Sequence, residues 1–123
     1  MTGALDELVG DIEYWEQLYE RLPASVTVIR QHADDVKQRQ MVVWLDGERI
    51  ATLMYGDEVT RDLDVGVHRL RVSNTLFWKT VEFHVKSGDQ VRFDIINRAG
   101  RLTYPMLAFI GAGPLYVTVR RVA

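Results

Sequence analysis

From residue 25 onward, apolar and polar side chains alternate with a period of two, in short runs separated by turn-forming residues. A period of two places alternate residues on opposite faces of a strand, so each run has one face for a core and one for solvent. Val26 and Val28 alternate with Thr27 and Ile29, and His68, Leu70 and Val72 alternate with Arg69 and Arg71. Val81, Phe83 and Val85 alternate with Glu82 and His84; Val91, Phe93 and Ile95 alternate with Arg92 and Asp94. Turn signals stand between the runs at Asp46-Gly47, Gly56-Asp57, Val65-Gly66 and Ser87-Gly88-Asp89. Such spacing predicts a mainly β domain over residues 24–123, an antiparallel β-sandwich of about seven strands.

The first 23 residues follow a different rule. Leu5, Leu8, Val9, Ile12, Trp15, Tyr19 and Leu22 recur at helical spacing, Thr2 offers a cap, and Pro23 cannot continue a helix. An amphipathic helix over residues 4–21 is predicted, its stripe packing on the sheet, on a partner or on a second subunit. Trp15 and Tyr19 are its candidate contact residues. The segment up to Arg21 holds six acids against that one base, whereas the whole chain is only −2. The acidic face suits solvent, the chain's own basic body or that of another copy. The near-neutral total gives no sign of a nucleic-acid partner. The acidic start lacks the basic and apolar regions of an export signal, so a cytoplasmic location is expected.

In "VVWLDGERIATL", residues 42–53, Asp-Gly separates two apolar runs. A two-residue hairpin turn of this kind needs positive φ at both central positions, which Asp-Gly tolerates. The expected register sets Leu45 opposite Glu48, Trp44 opposite Arg49 and Val43 opposite Ile50, with the Arg49 guanidinium over the Trp44 indole. Asp46 then needs no role beyond the turn.

Catalytic chemistry is poorly supplied. With no cysteine there is neither a thiolate nor a cysteine metal site. Ser25, Ser73 and Ser87 lie outside any nucleophile elbow, and "GAGP" at 111–114 lacks the length and lysine of a phosphate loop. His68 falls on the apolar face of its strand, His84 on a solvent face, and His32 in a polar loop that includes residues 33–39. The carboxylate pairs Asp34-Asp35, Asp57-Glu58 and Asp62 with Asp64 sit in or near predicted turns. No catalytic residue, metal site or cofactor is predicted.

Binding surfaces are the more promising class. "SNTLFWKT", residues 73–80, joins two strands and carries Leu76, Phe77 and Trp78, more apolar bulk than a strand connection needs. Arg69, Arg71 and Arg92 are expected on one sheet face, interleaved with Glu82 and Asp94. Residues 102–119 run 18 positions without a charge, but Pro105, Gly111, Gly113 and Pro114 interrupt them. They are read as a loop or short apolar turn over 102–112 and a last strand over 114–122, with no integral membrane segment.

"VWLDGERIATLMYGDEVTRDLDVGVHRLRV" resembles PEGA-type domains, small accessory β-domains of bacterial proteins. The positions carrying the likeness are Leu45, Asp46, Gly47, Gly66, His68, Leu70 and Val72, with Val91 and Phe93 in a later strand. The likeness covers roughly residues 26–97, and the proline-containing segment expected after the second strand is missing. The resemblance implies a bacterial accessory or interaction module with no catalytic residues. The leading expectation is therefore a non-catalytic module that binds a protein partner or self-associates. Carbohydrate binding at Phe77 and Trp78 and peripheral membrane attachment through 102–112 are the alternatives.

Overall fold

The computed structural model describes residues 23–101, 103–110 and 115–123. Among the described residues eight strands and one helix follow in order: β1 (Ala24–Ile29), β2 (Met41–Leu45), β3 (Glu48–Leu53), β4 (Glu58–Leu63), β5 (Gly66–Ser73), β6 (Trp78–Val85), β7 (Gln90–Ala99), α1 (Thr103–Ile110) and β8 (Leu115–Arg121). They form two four-stranded sheets, β4-β1-β7-β8 and β3-β2-β5-β6. The chain is mainly β, as its alternation requires. The predicted helix over residues 4–21, with Trp15 and Tyr19, lies outside the described residues.

One core joins the sheets. Val26, Val28, Val91, Phe93 and Ile95 of the first sheet pack with Met41, Val43, Leu70, Val72, Phe83 and Val85 of the second. Phe83 and Phe93 meet across the layers edge to face, with ring centroids 5.1 Å apart. These are the phases that alternation assigned inward.

The expectation of a wholly antiparallel arrangement fails at one place. β1 and β7 run parallel, with Val26 beside Val91 and Val28 beside Phe93. Parallel neighbours need a long crossover, and here the second sheet intervenes in sequence between them.

At the β2–β3 hairpin, Asp46 and Gly47 have φ of +51° and +84°, the paired positive values expected of the turn. Leu45 faces Glu48 and Trp44 faces Arg49, but a bulge follows and Val43 faces Ala51 rather than Ile50. An extra residue on one strand slips the register beyond it. Arg49 turns to the Thr52 hydroxyl, so the predicted guanidinium over Trp44 belongs to another residue.

The stretch 102–112, expected as a loop or turn, contains α1. Pro105 sits in the first turn, where its missing N–H and fixed φ are tolerated. The Thr103 hydroxyl accepts from the Gly100 amide at 2.7 Å, and the Thr103 amide donates to the Gly100 carbonyl at 3.2 Å. Among the described residues no helix is long and apolar enough to cross a membrane.

Candidate functional site

The solvent side of β3-β2-β5-β6 takes the side chains that alternation leaves outside the core. Register places Trp44 of β2 beside Arg71 of β5, and Arg71 beside Thr80 of β6. One row away lies Arg69 beside Glu82; on the other side, Ser73 pairs with Trp78. Cross-strand neighbours on one face are close enough for side chains to interact. The Arg71 guanidinium carbon stands 5.4 Å from the ring centroid of Trp44 and 5.4 Å from that of Trp78. The planar cation is held between two indoles. Arg69 is paired, its Nη2 2.9 Å from Glu82 Oε1, but no carboxylate or carbonyl among the described residues accepts from Arg71.

Beside this stack is an open cleft of about 650 Å³, lined among others by Trp44, Asp46, His68, Arg69, Arg71, Thr80 and Glu82. At its end Asp46 does more than shape a turn. Its Oδ1 accepts from the Arg69 amide at 2.8 Å, and its Oδ2 lies 2.6 Å from His68 Nδ1. His68 Nε2 lies 2.6 Å from the Asp64 carbonyl oxygen, and the ring packs 5.8 Å from Phe83. Both partners of the imidazole are acceptors, so the doubly protonated ring satisfies both. Desolvation at the sheet end disfavours that cation, but the Asp46 carboxylate and the Asp64 carbonyl outweigh it and raise the His68 pKa above its ordinary 6.5. Desolvation also opposes the Asp46 charge, yet the bonds from His68 and Arg69 hold its pKa below the ordinary 3.8.

This linkage has a defined sign. His68 contributes stability fully below pH 6.5 and loses it as pH rises through its raised folded pKa. Asp46 contributes above 3.8 and loses it as pH falls through its lowered pKa. Urea unfolding of the wild type at pH 5.5 and 8.5 should therefore show lower stability at the higher pH. The His68→Gln variant should lose most of that difference; an equal slope in the variant would place the pH dependence elsewhere.

Comparison of the chain with protein-family models, curated proteins and solved structures finds no match. The site thus rests on geometry.

The structure divides the aromatic connection that sequence treated as one surface. Trp78 is 61% exposed and joins the Arg71 stack, and Leu76 is exposed at the tip. Phe77 instead packs against Tyr116 of β8, centroids 5.0 Å apart. Arg92 does not share a face with Arg69 and Arg71, because β7 belongs to the other sheet. Trp44 and Arg71 were not among the predicted contact residues. Their meeting depends on the β2–β5 pairing, which joins strands distant in sequence. Among the described residues no three His, Asp or Glu side chains gather to hold a metal ion.

Proposed function

We propose that this chain is a non-catalytic β-sandwich interaction module, related to PEGA-type accessory domains, whose contact surface is the outer face of β3-β2-β5-β6. The partner it suits is a protein segment bearing carboxylates. The observation that carries this reading is Arg71, oriented by stacking between Trp44 and Trp78 with its N–H donors unclaimed among the described residues. A guanidinium fork oriented in this way matches a carboxylate in two-point geometry, and flanking indoles add apolar contact area. The packing of two sheets over one core supports the sandwich, and the Asp46-Gly47 turn and the positive φ of Gly66 support the PEGA-type likeness.

Titration with an oligo-glutamate peptide should change tryptophan emission, and an oligo-lysine peptide should not. Arg71→Gln and Trp78→Ala should each weaken binding by about tenfold or more, since hydrogen bonds to charged groups contribute about 1.5–3 kcal/mol. Unchanged emission with oligo-glutamate, or wild-type affinity in Arg71→Gln, would refute the assignment.

Carbohydrate binding has an observation of its own. The Trp44 ring shares its cleft with Thr80, Glu82 and Arg69, the apolar face and polar set that a sugar ring uses. A glycan panel that leaves tryptophan fluorescence unmoved argues against it.

A further inference from the structure

The end of the molecule carrying α1 has a second unassigned surface. In the sequence "TYPMLAFI" no side chain is charged, and only Thr103 is buried. Tyr104 is 64% exposed, Leu107 49%, Phe109 90% and Ile110 70%. An isolated apolar side chain on a surface is ordinary, but a helix apolar on all sides is normally covered. The helix is also anchored at its base. Thr103 bonds back to Gly100, and the Tyr116 ring lies so close to Gly100 that a Cβ there would stand 2.0 Å from it.

Charge identifies the cover. On the same end as α1, Lys37, Arg39, Lys79, Arg98 and Arg101 reach solvent, against Asp34, Asp57 and Glu58. Arg98 is paired with Asp34 at 3.3 Å and Lys37 lies 4.8 Å from the Tyr55 ring centroid, which leaves Arg39, Lys79 and Arg101 facing Asp57 and Glu58. The opposite end is mixed: Asp46, Glu48, Asp62 and Asp64 line one cleft with Arg61 and His68, and Lys86, Arg120 and Arg121 share that end with Asp89 and Asp94. The apolar helix thus lies at an end of the sheets where solvent-facing bases outnumber acids.

We propose that α1 is a membrane-docking element that inserts into the interfacial zone of an anionic lipid bilayer. Eight residues of helix extend about 12 Å. That length is comparable to the roughly 5–10 Å depth at which interfacial apolar faces reside, with basic residues left at the headgroups. A second copy docking symmetrically on the same helix would bring one basic end against another, a like-charge contact that anionic lipid avoids.

The test is flotation of the full chain with vesicles of phosphatidylcholine alone and of phosphatidylcholine with phosphatidylglycerol. The expected result is flotation with the anionic vesicles only, reduced at high salt. The double variant Phe109→Asp, Ile110→Asp should weaken partitioning at least about tenfold, because two large apolar side chains are withdrawn from insertion. Arg101→Glu should weaken it while leaving the apolar face intact. Both Phe109 and Ile110 are solvent-exposed, so the double variant should melt as the wild type does, and a thermal scan checks this. Absence of flotation with anionic vesicles overturns the proposal, as does equal flotation of the double variant. Concentration-dependent dimerisation abolished by the double variant, without vesicle binding, also overturns it and assigns the helix to a second copy.

Discussion

Replacing Arg30 by Met should destabilise the protein by about 3–5 kcal/mol, the usual consequence of removing one partner from a buried ion pair. Arg30 and Asp35 side chains are wholly buried, joined by Nε to Oδ2 at 3.1 Å and Nη2 to Oδ1 at 3.2 Å. The remaining guanidinium protons go to backbone: Nη1 donates to the carbonyls of Arg39 and Leu53, and Nη2 to that of Gln38. Asp35 in turn accepts from the amides of Lys37 at 2.7 Å and Asn97 at 3.2 Å. One pair therefore fixes the loop between β1 and β2 to the ends of β3 and β7. A typical domain has only about 5–15 kcal/mol of stability, so the variant should lose a large share of its urea midpoint. Asp35→Leu should cost a similar amount. The double variant should cost clearly less than the two singles added, since it removes both charges together. Single variants within about 1 kcal/mol of wild type would mean that the pair carries little of the fold.

The sequence contained a signal for this pair. Val26 and Val28 fix the inward phase of β1, and Arg30 continues it. A charged side chain in an inward phase must find a partner. The identity of that partner was not legible. Asp34 and Asp35 are adjacent acids in a polar stretch, and only the approach of Asn97, sixty-two positions later, selects Asp35. Asp34 stays exposed, 3.3 Å from Arg98. Local signals thus sufficed for strands and for the Asp46-Gly47 turn, because alternation and positive φ are properties of neighbours in sequence. The Trp44–Arg71–Trp78 stack was not legible for the opposite reason. It requires β2 to be an interior strand, paired with both β3 and β5. The hairpin alone offered Trp44 only Arg49.

Helix α1 was misread on different grounds. Pro105 looked like an interruption of an apolar run, yet within a first turn it is compatible with a helix. The apolar composition of this stretch marks an exposed surface. A composition rule says that such residues need cover; it does not say which molecule supplies it.

Asn74→Ala should destabilise by about 3 kcal/mol and also loosen the connection that delivers Trp78 to its stack. Asn74 is buried, and its amide works in both directions. Its Oδ1 accepts from the Phe77 amide at 2.9 Å, closing the turn between β5 and β6. Its Nδ2 donates to the Leu115 carbonyl and, at 2.9 Å, to Asn97 Oδ1, tying that turn to β8 and β7 of the other sheet. Asn97 Nδ2 continues the chain of bonds to the Gln38 carbonyl at 3.0 Å. Truncation leaves the Phe77 amide, the Leu115 carbonyl and Asn97 Oδ1 without this partner, and each unsatisfied buried group carries a desolvation penalty. Asn74→Asp restores an acceptor for the Phe77 amide but sets a buried carboxylate against the Leu115 carbonyl and Asn97 Oδ1, so it should not rescue the fold at pH 7. Equilibrium urea unfolding measures the loss, and hydrogen exchange at Phe77 and Trp78 locates it. If the turn relays order to the Arg71 stack, both amides exchange faster in Asn74→Ala while those of the β2–β3 hairpin do not. Uniform acceleration across the second sheet would mean that Asn74 supports the fold as a whole and has no special connection to the binding face.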